Sequence, residues 1–283
     1  MIAPDGKFDV SNFKASPVNY KIALWDPRTN GVRLLKTLIF GLLKRMSDGD
    51  LVRINSIRNR SVGRPIEVRD RGIALCLDYA QSYLEVTFIE QACQLSDVEI
   101  VEIGGGYGRT CHTMLALHDE IAQYVIVDLP WMIAIAGSYL DRVLTTSQRS
   151  KVTFVPLDNF QSLAERQFDL VINIDGFNEF DEGVVMNYLK YIEGHARWFY
   201  TKNPVSKYRD AEFDSRTESV ETKHAINSGI LRDIIDVFDG DAIEAKVPEF
   251  LAKFCPGPRW RCVRHGEAEP WSFYHEAIYE LQE

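Results

Sequence analysis

The stretch Val98-Glu99-Ile100-Val101-Glu102-Ile103-Gly104-Gly105-Gly106-Tyr107-Gly108-Arg109-Thr110 decides how this chain is read. Its first six residues form a mainly apolar run of strand length that ends abruptly in glycine. Glycine lacks Cβ and tolerates positive φ, so the backbone there can turn sharply and approach a ligand closely. A helix predicted to begin just beyond leaves the N–H groups of its first turn without intrahelical partners. Strand, glycine turn and helix together make a general cofactor cradle at the carboxyl end of a strand.

The spacing narrows the choice of cofactor. A dinucleotide fingerprint reads G-x-G-x-x-G or G-x-G-x-x-A. Counted from Gly104, its last position falls on Arg109, which is too large for the close helix–strand packing served there. Frames starting at Gly105 or Gly106 do not place glycines correctly either. The pattern that fits is Glu102-x-Gly104-x-Gly106-x-Gly108.

Outward from this turn, apolar runs of strand length alternate with helical segments. The expected strands are Val98–Ile103, Gln123–Asp128, Lys151–Pro156, Phe168–Asp175 and Arg197–Lys202. Helices are expected over Tyr107–His118, Pro130–Leu144 and Gly183–Gly194. Strand–helix alternation predicts a doubly wound, mostly parallel sheet, and runs such as Leu170-Val171-Ile172 suit strands covered on both faces. The fold class read from this is α/β, Rossmann-like, with a seven-stranded sheet. Ile230–Phe238 is expected to be helical and Ala277–Leu281 a final edge strand. Residues 1–95 read instead as a helical cap or dimerisation region, with apolar spacing over Leu34–Leu43 and a second helix over Val68–Cys93. Between them lies a polar loop with Arg58, Arg60 and Arg64, either solvated or in contact with an acceptor phosphate. Residues 96–283 form the expected cofactor-binding catalytic domain.

Asp128 ends the second strand, 128 − 104 = 24 residues after the first glycine. A carboxylate there can accept two hydrogen bonds from ribose hydroxyls, and charge-assisted bonds hold a sugar well. This supports nucleoside binding in general, although a helix cap before Pro130 is the plainer alternative.

The acidic-x-Gly-x-Gly-x-Gly turn resembles the first motif of class I methyltransferases, which use S-adenosylmethionine (SAM). Three segments together resemble the sugar O-methyltransferase family associated with bacterial surface polysaccharide clusters: Val101–Gly108, Val125-Ile126-Val127-Asp128-Leu129-Pro130, and Phe199-Tyr200-Thr201-Lys202-Asn203-Pro204-Val205-Ser206-Lys207-Tyr208. The resemblance covers roughly residues 98–208. It implies that Glu102, Gly104, Gly105, Gly106, Tyr107, Asp128 and Leu129 hold the donor, with Asp158, or alternatively Asn159, on the adenine amino group. The loop Asn173-Ile174-Asp175-Gly176-Phe177-Asn178-Glu179-Phe180 then faces the transferred methyl. Glu179 and Asp175 are the candidates for a base that accepts the acceptor's proton, with His224 a further one; Asn178, Lys202 and Asn203 are candidates for orienting the acceptor. The implied acceptor is a sugar, a nucleotide sugar or another small polyhydroxylated molecule. A divalent cation is not required by any compact spacing, though Asp158, Asp175 and Glu179 could supply oxygen ligands. The rivals are an NAD(P)-dependent oxidoreductase and a SAM-binding module without turnover.

Composition sets outer bounds. With 32 Lys and Arg against 41 Asp and Glu, the net charge of −9 disfavours a phosphate backbone as partner. Asn203-Pro204 is also out of place for a nucleobase-methylating [N/D]-P-P-[Y/F] motif. It follows the fifth expected strand where that motif would follow the fourth, and Val205 stands in place of the second Pro. Five cysteines without C-x-x-C spacing argue against a disulfide framework or structural zinc. No secretory signal is expected at the N-terminus, and Leu34–Leu43, broken by Lys36, is too short to span a bilayer. A cytoplasmic protein, possible as a homo-oligomer, is the resulting expectation.

Overall fold

The computed structural model describes residues 30–208 and 227–282. The first part is α1 (Gly31–Arg45), α2 (Asp48–Ser56), a hairpin of β1 (Glu67–Asp70) and β2 (Ile73–Cys76), and α3 (Leu77–Glu90). Ser47 caps α2, its side chain accepting from the Asp50 N–H while the Asp50 carboxylate accepts from the Ser47 N–H. The expected helix over Val68–Cys93 is corrected here. Arg71 and Gly72, at φ 48° and 81°, form a tight two-residue turn, so a hairpin precedes the helix. Ile39, Leu42, Leu43, Leu51, Ile54, Leu75, Tyr79 and Tyr83 are buried in this part, and all but Ile39 belong to one separate apolar core.

The main sheet follows: β3 (Glu99–Ile103), α4 (Arg109–Leu117), β4 (Gln123–Asp128), α5 (Pro130–Val143), α6 (Thr146–Arg149), β5 (Val152–Pro156), a 3-10 turn (Leu157–Leu163), β6 (Phe168–Ile174), α7 (Gly176–Glu179), α8 (Glu182–His195), β7 (Ala196–Pro204), β8 (Lys207–Tyr208), β9 (Ile234–Ile235), α9 (Gly240–Glu244), α10 (Val247–Lys253), β10 (Trp260–Glu267) and β11 (Tyr274–Leu281). The strand order is β10-β11-β7-β6-β3-β4-β5. Five strands are parallel; β11 pairs antiparallel with both β7 and β10. This is the Rossmann-like, seven-stranded, mostly parallel sheet that the alternation of strands and helices predicts.

Side chains alternate across the sheet. Val101, Ile103, Val127, Val171 and Phe199 join the core under α8 and α10. Ile100, Ile126, Leu170, Ile172 and Tyr200 join the core under α3, α4 and α5. Two further expectations are corrected. Ile230–Phe238 is not helical: Asp236 accepts the Phe238 N–H, an Asx-type turn that competes with helix, and Ile234–Ile235 pairs with Lys207–Tyr208. Ala277–Leu281 is not an edge strand. It lies inside the sheet, and β10, which carries Arg261, Arg264 and His265, takes the edge position where charged side chains remain solvated.

Candidate cofactor site

From β3 the sheet grows through β4 to β5 on one side and through β6 to β7 on the other. Loops leaving β3 and β6 therefore diverge, opening a crevice at the carboxyl ends of the strands. A cavity of about 480 Å³ occupies it. Its floor is built from Gly104 and Gly106 after β3, Asp128 and Leu129 after β4, and Asp175 and Gly176 after β6. A larger hollow of about 840 Å³ runs along α1 past Lys36 and Phe40, but it holds neither a glycine turn nor a carboxylate.

The glycine turn is shaped from both sides. A Cβ on Gly105 would stand 2.9 Å from Ile126 Cγ2 and 3.2 Å from Glu102 Oε2, so no side chain fits there. A Cβ on Gly106, at φ 54°, would meet nothing within 4 Å. Of these two, only the open position lines the cavity. The turn's own amides are already bonded: Gly104 N–H donates to the Val127 carbonyl (2.8 Å), and Gly108 N–H to the Gly105 carbonyl (3.0 Å). Gly106 N–H donates to Asp128 Oδ2 (2.8 Å). Asp128 Oδ1 accepts from the Leu129 N–H (2.7 Å), so both its oxygens are fixed while each keeps lone-pair capacity for a ligand.

The facing loop is equally fixed. Asp175 adopts φ 64°, a conformation uncommon outside glycine. Its N–H donates to the Lys202 carbonyl (2.8 Å), and its Oδ1 accepts from the Tyr274 hydroxyl (2.8 Å). Burial, reinforced by the Asp175 charge, holds the Tyr274 phenol well above its ordinary range, so it stays a donor. Asn173 joins the two loops. Its Nδ2 donates to the Ile103 carbonyl (2.9 Å), and its Oδ1 accepts from the Phe177 N–H (3.2 Å) and from Asn203 Nδ2 (2.9 Å). Lys207 is buried, and its Nζ donates to the Asn178 carbonyl (2.9 Å) and to Asn178 Oδ1. Desolvation lowers that amine to about 8, against the opposing pull of Asp175 and Glu179. The rest of the wall includes Trp131, Met132, Leu157, Phe180, Asp181, Val184 and Tyr188, aromatic or aliphatic apart from Asp181.

Six of the residues proposed from sequence line the cavity: Gly104, Gly106, Asp128, Leu129, Asp175 and Glu179. The others are placed differently. Glu102 is buried beneath the turn and accepts from the Tyr124 hydroxyl (2.8 Å); desolvation raises its carboxyl to about 7. Gly105 packs over it. Tyr107 turns away and donates to Asp78 Oδ2 (2.8 Å), its ring edge-on to Tyr139. Lys202 shares the face of Tyr200, so its Nζ meets Glu85 Oε1 on α3 (2.7 Å) instead of the cavity. Asn178 is engaged by Lys207, and Asn203 is buried behind Asn173. Asp158 and Asn159 are exposed on the 3-10 turn, and Leu157 lines the cavity in their place. His224 lies outside the described residues.

Sequence reading placed Asn173 in the methyl-facing loop without a role of its own, and left out Asp181, Tyr274 and most of the apolar wall. Of these, Asn173 carried a usable signal, a polar residue directly after the apolar run Leu170-Val171-Ile172. Arg109, which excluded the dinucleotide fingerprint, has its guanidinium on the Glu85 carboxylate (3.1 and 2.8 Å). Arg60 is tied to the Ala74 and Ile57 carbonyls, and none of the described residues 30–95 lines the cavity. Among the described residues no group of three or more His, Cys, Asp or Glu is arranged to hold a metal ion, and no helix is long and apolar enough to cross a membrane.

No protein-family model and no curated protein matches the chain. Among solved structures, it is similar to the methyltransferase domain of bacterial CtHen1, with 14% identity and a TM-score of 0.49 over 72% of this chain and 98% of that one. A Klebsiella pneumoniae protein, provisionally assigned as an O-methyltransferase, shows 15% identity and 0.48 over 89% and 100%. Magnesium protoporphyrin IX methyltransferase from Synechocystis PCC 6803, solved with bound SAH, shows 14% identity and 0.46 over 73% and 83%. These are distant likenesses of fold.

Proposed function

We propose that this chain is a SAM-dependent methyltransferase that methylates a hydroxyl oxygen of a small acceptor. One observation carries the reading: the amides of Gly104, Gly106 and Gly108 are all satisfied inside the protein, one of them by Asp128. A dinucleotide site draws on the amides of such a turn, together with those of the helix that follows it, for its pyrophosphate. Here the turn's own are spent, and the described cavity wall carries Asp128, Asp175, Glu179 and Asp181 without a Lys, Arg or His. Those features disfavour an anionic cofactor and suit a nucleoside that carries positive charge. The Gly106 surface accepts close backbone approach, Asp128 offers both carboxylate oxygens to ribose hydroxyls, and the Met132–Leu157 side offers an apolar slot for a purine.

SAM supplies an electrophilic methyl on its sulfonium sulfur. The chain's residues then have two tasks. The cavity holds the acceptor oxygen in line with the methyl carbon and sulfur, which is chiefly positioning. A carboxylate takes the hydroxyl proton as the oxygen–carbon bond forms and the carbon–sulfur bond breaks. Asp175, with one oxygen held by Tyr274, and Glu179 stand at the cavity wall for this step. The acceptor we assign is a sugar or related polyhydroxylated molecule, a reading supported by the Val125–Pro130 and Phe199–Tyr208 resemblance; a role in surface polysaccharide synthesis would follow from it. Thermal-shift titration with SAM, S-adenosylhomocysteine (SAH), NAD and NADP tests the cofactor. Stabilisation by SAM and SAH is expected; a shift with NAD alone would assign the protein to the oxidoreductases.

A further inference from the structure

Away from the cavity, two histidines meet on the outer hairpin of the sheet. In the β10–β11 ladder His265 pairs with Ala277 and Glu267 with His275, so the two histidines share a face and stand diagonally across from each other. His265 Nδ1 lies 3.0 Å from His275 Nε2, with the ring centroids 5.2 Å apart. His275 is 5% exposed and edge-on to Phe250, whereas His265 is exposed and opens the pair to solvent. Desolvation, with His265 beside it, lowers the His275 imidazole to about 4, so it is uncharged at neutral pH.

A neutral imidazole carries one N–H and one lone pair, so the contact between the two rings shares a single proton. In the tautomers that carry their protons on His265 Nε2 and His275 Nδ1, both facing nitrogens present lone pairs. Two nitrogens bound at right angles to one ion at about 2.1 Å stand about 3.0 Å apart, whereas a tetrahedral angle would need about 3.4 Å. The spacing found here is that of neighbouring ligands on an octahedral or tetragonal ion. We propose that His265 and His275 form a site for a divalent transition-metal ion of that geometry, Ni²⁺ or Cu²⁺ in type, with water completing its coordination. Imidazole suits such ions, and hard ions such as Mg²⁺ prefer oxygen. The bound ion ties the edge strand β10 to β11, one residue from Tyr274, whose hydroxyl holds Asp175.

Isothermal titration of the untagged full chain with Ni²⁺ alone, without SAM or SAH, tests it. The wild-type chain is expected to bind the ion. His265→Gln, a change on the exposed edge strand, is expected to weaken binding by on the order of tenfold or more, since losing even an outer partner of a metal ligand costs that much. Thermal unfolding gives a second readout: Ni²⁺ should raise the melting temperature of the wild-type chain but not that of His265→Gln, and Mg²⁺ should raise neither. Absence of Ni²⁺ binding by the wild-type chain would overturn the inference. So would a His265→Gln chain that binds Ni²⁺ as tightly as the wild type.

Discussion

Two polar clusters flank the glycine turn, and they behave in opposite ways. Around the cavity, Asp128, Asp175, Glu179 and Asp181 bring four carboxylates to the wall with no basic side chain among the described lining residues. Between α3 and the sheet, Glu85, Arg109 and Lys202 answer one another inside the protein. Glu85 is 1% exposed; burial pushes its carboxyl up, but the two cations beside it outweigh that and hold it below the usual range. Tyr200 donates to Glu276 (2.6 Å) and Tyr124 to Glu102 in the same layer. A polar group closed on its neighbours serves the fold, because each desolvated charge would be costly without its partner. A polar group held in place yet facing a cavity is available to a ligand.

The largest expected effect separates the two clusters by stability. Glu85→Ala leaves Arg109 and Lys202 buried without their counter-charge and should cost about 3–5 kcal/mol in urea unfolding. Retained wild-type stability would mean the layer is wetter than its geometry implies. Glu276 gives a pH signature. Burial raises its carboxyl to about 8 from 4.5, so the folded chain keeps a proton that the unfolded chain has lost. Its contribution is greatest at low pH and declines as pH rises from about 4.5 to 8. Glu276→Gln should remove that component, on the order of a few kcal/mol in the difference between the two stability–pH curves; parallel curves would contradict it.

On the cavity side the readout is affinity. Asp128→Ala should weaken SAH binding by about 1.5–3 kcal/mol, the scale of hydrogen bonds to a charged group. Unchanged affinity by calorimetry would remove Asp128 from ribose recognition. The smallest effect is expected at Tyr107, which sits in the glycine motif but bonds to Asp78. Tyr107→Phe should cost about 1 kcal/mol of stability or less and leave SAH affinity within about twofold. A large affinity loss would return Tyr107 to the site.

The main sheet was legible because strands buried on both faces are long apolar runs and glycine punctuates them unmistakably. Leu170-Val171-Ile172 and Tyr124-Val125-Ile126-Val127 allow little else. Tyr274–Leu281 and Trp260–Glu267 were harder to read. The first mixes His275, Glu276 and Glu280 into a strand, and the second is an edge strand that leaves most of its side chains to solvent. The hairpin before α3 was obscured for a local reason: each of its strands is only four residues long, too short to show alternation beside the helical spacing that follows.

What the sequence determined by itself is the succession of the five parallel strands, the glycine turn after β3, and Asp128 at the end of β4, since all are properties of contiguous residues. Which of the nearby polar residues reach the cavity was decided only by the tertiary structure. Lys202 and Asn203 are neighbours in the chain, yet the pleat sends one to Glu85 and the other to Asn173. Tyr274 lies 99 residues from Asp175 and meets it only because β11 inserts beside β7. The pleat and the strand order are set by long-range pairing, so no local pattern records which side chains finally share a wall.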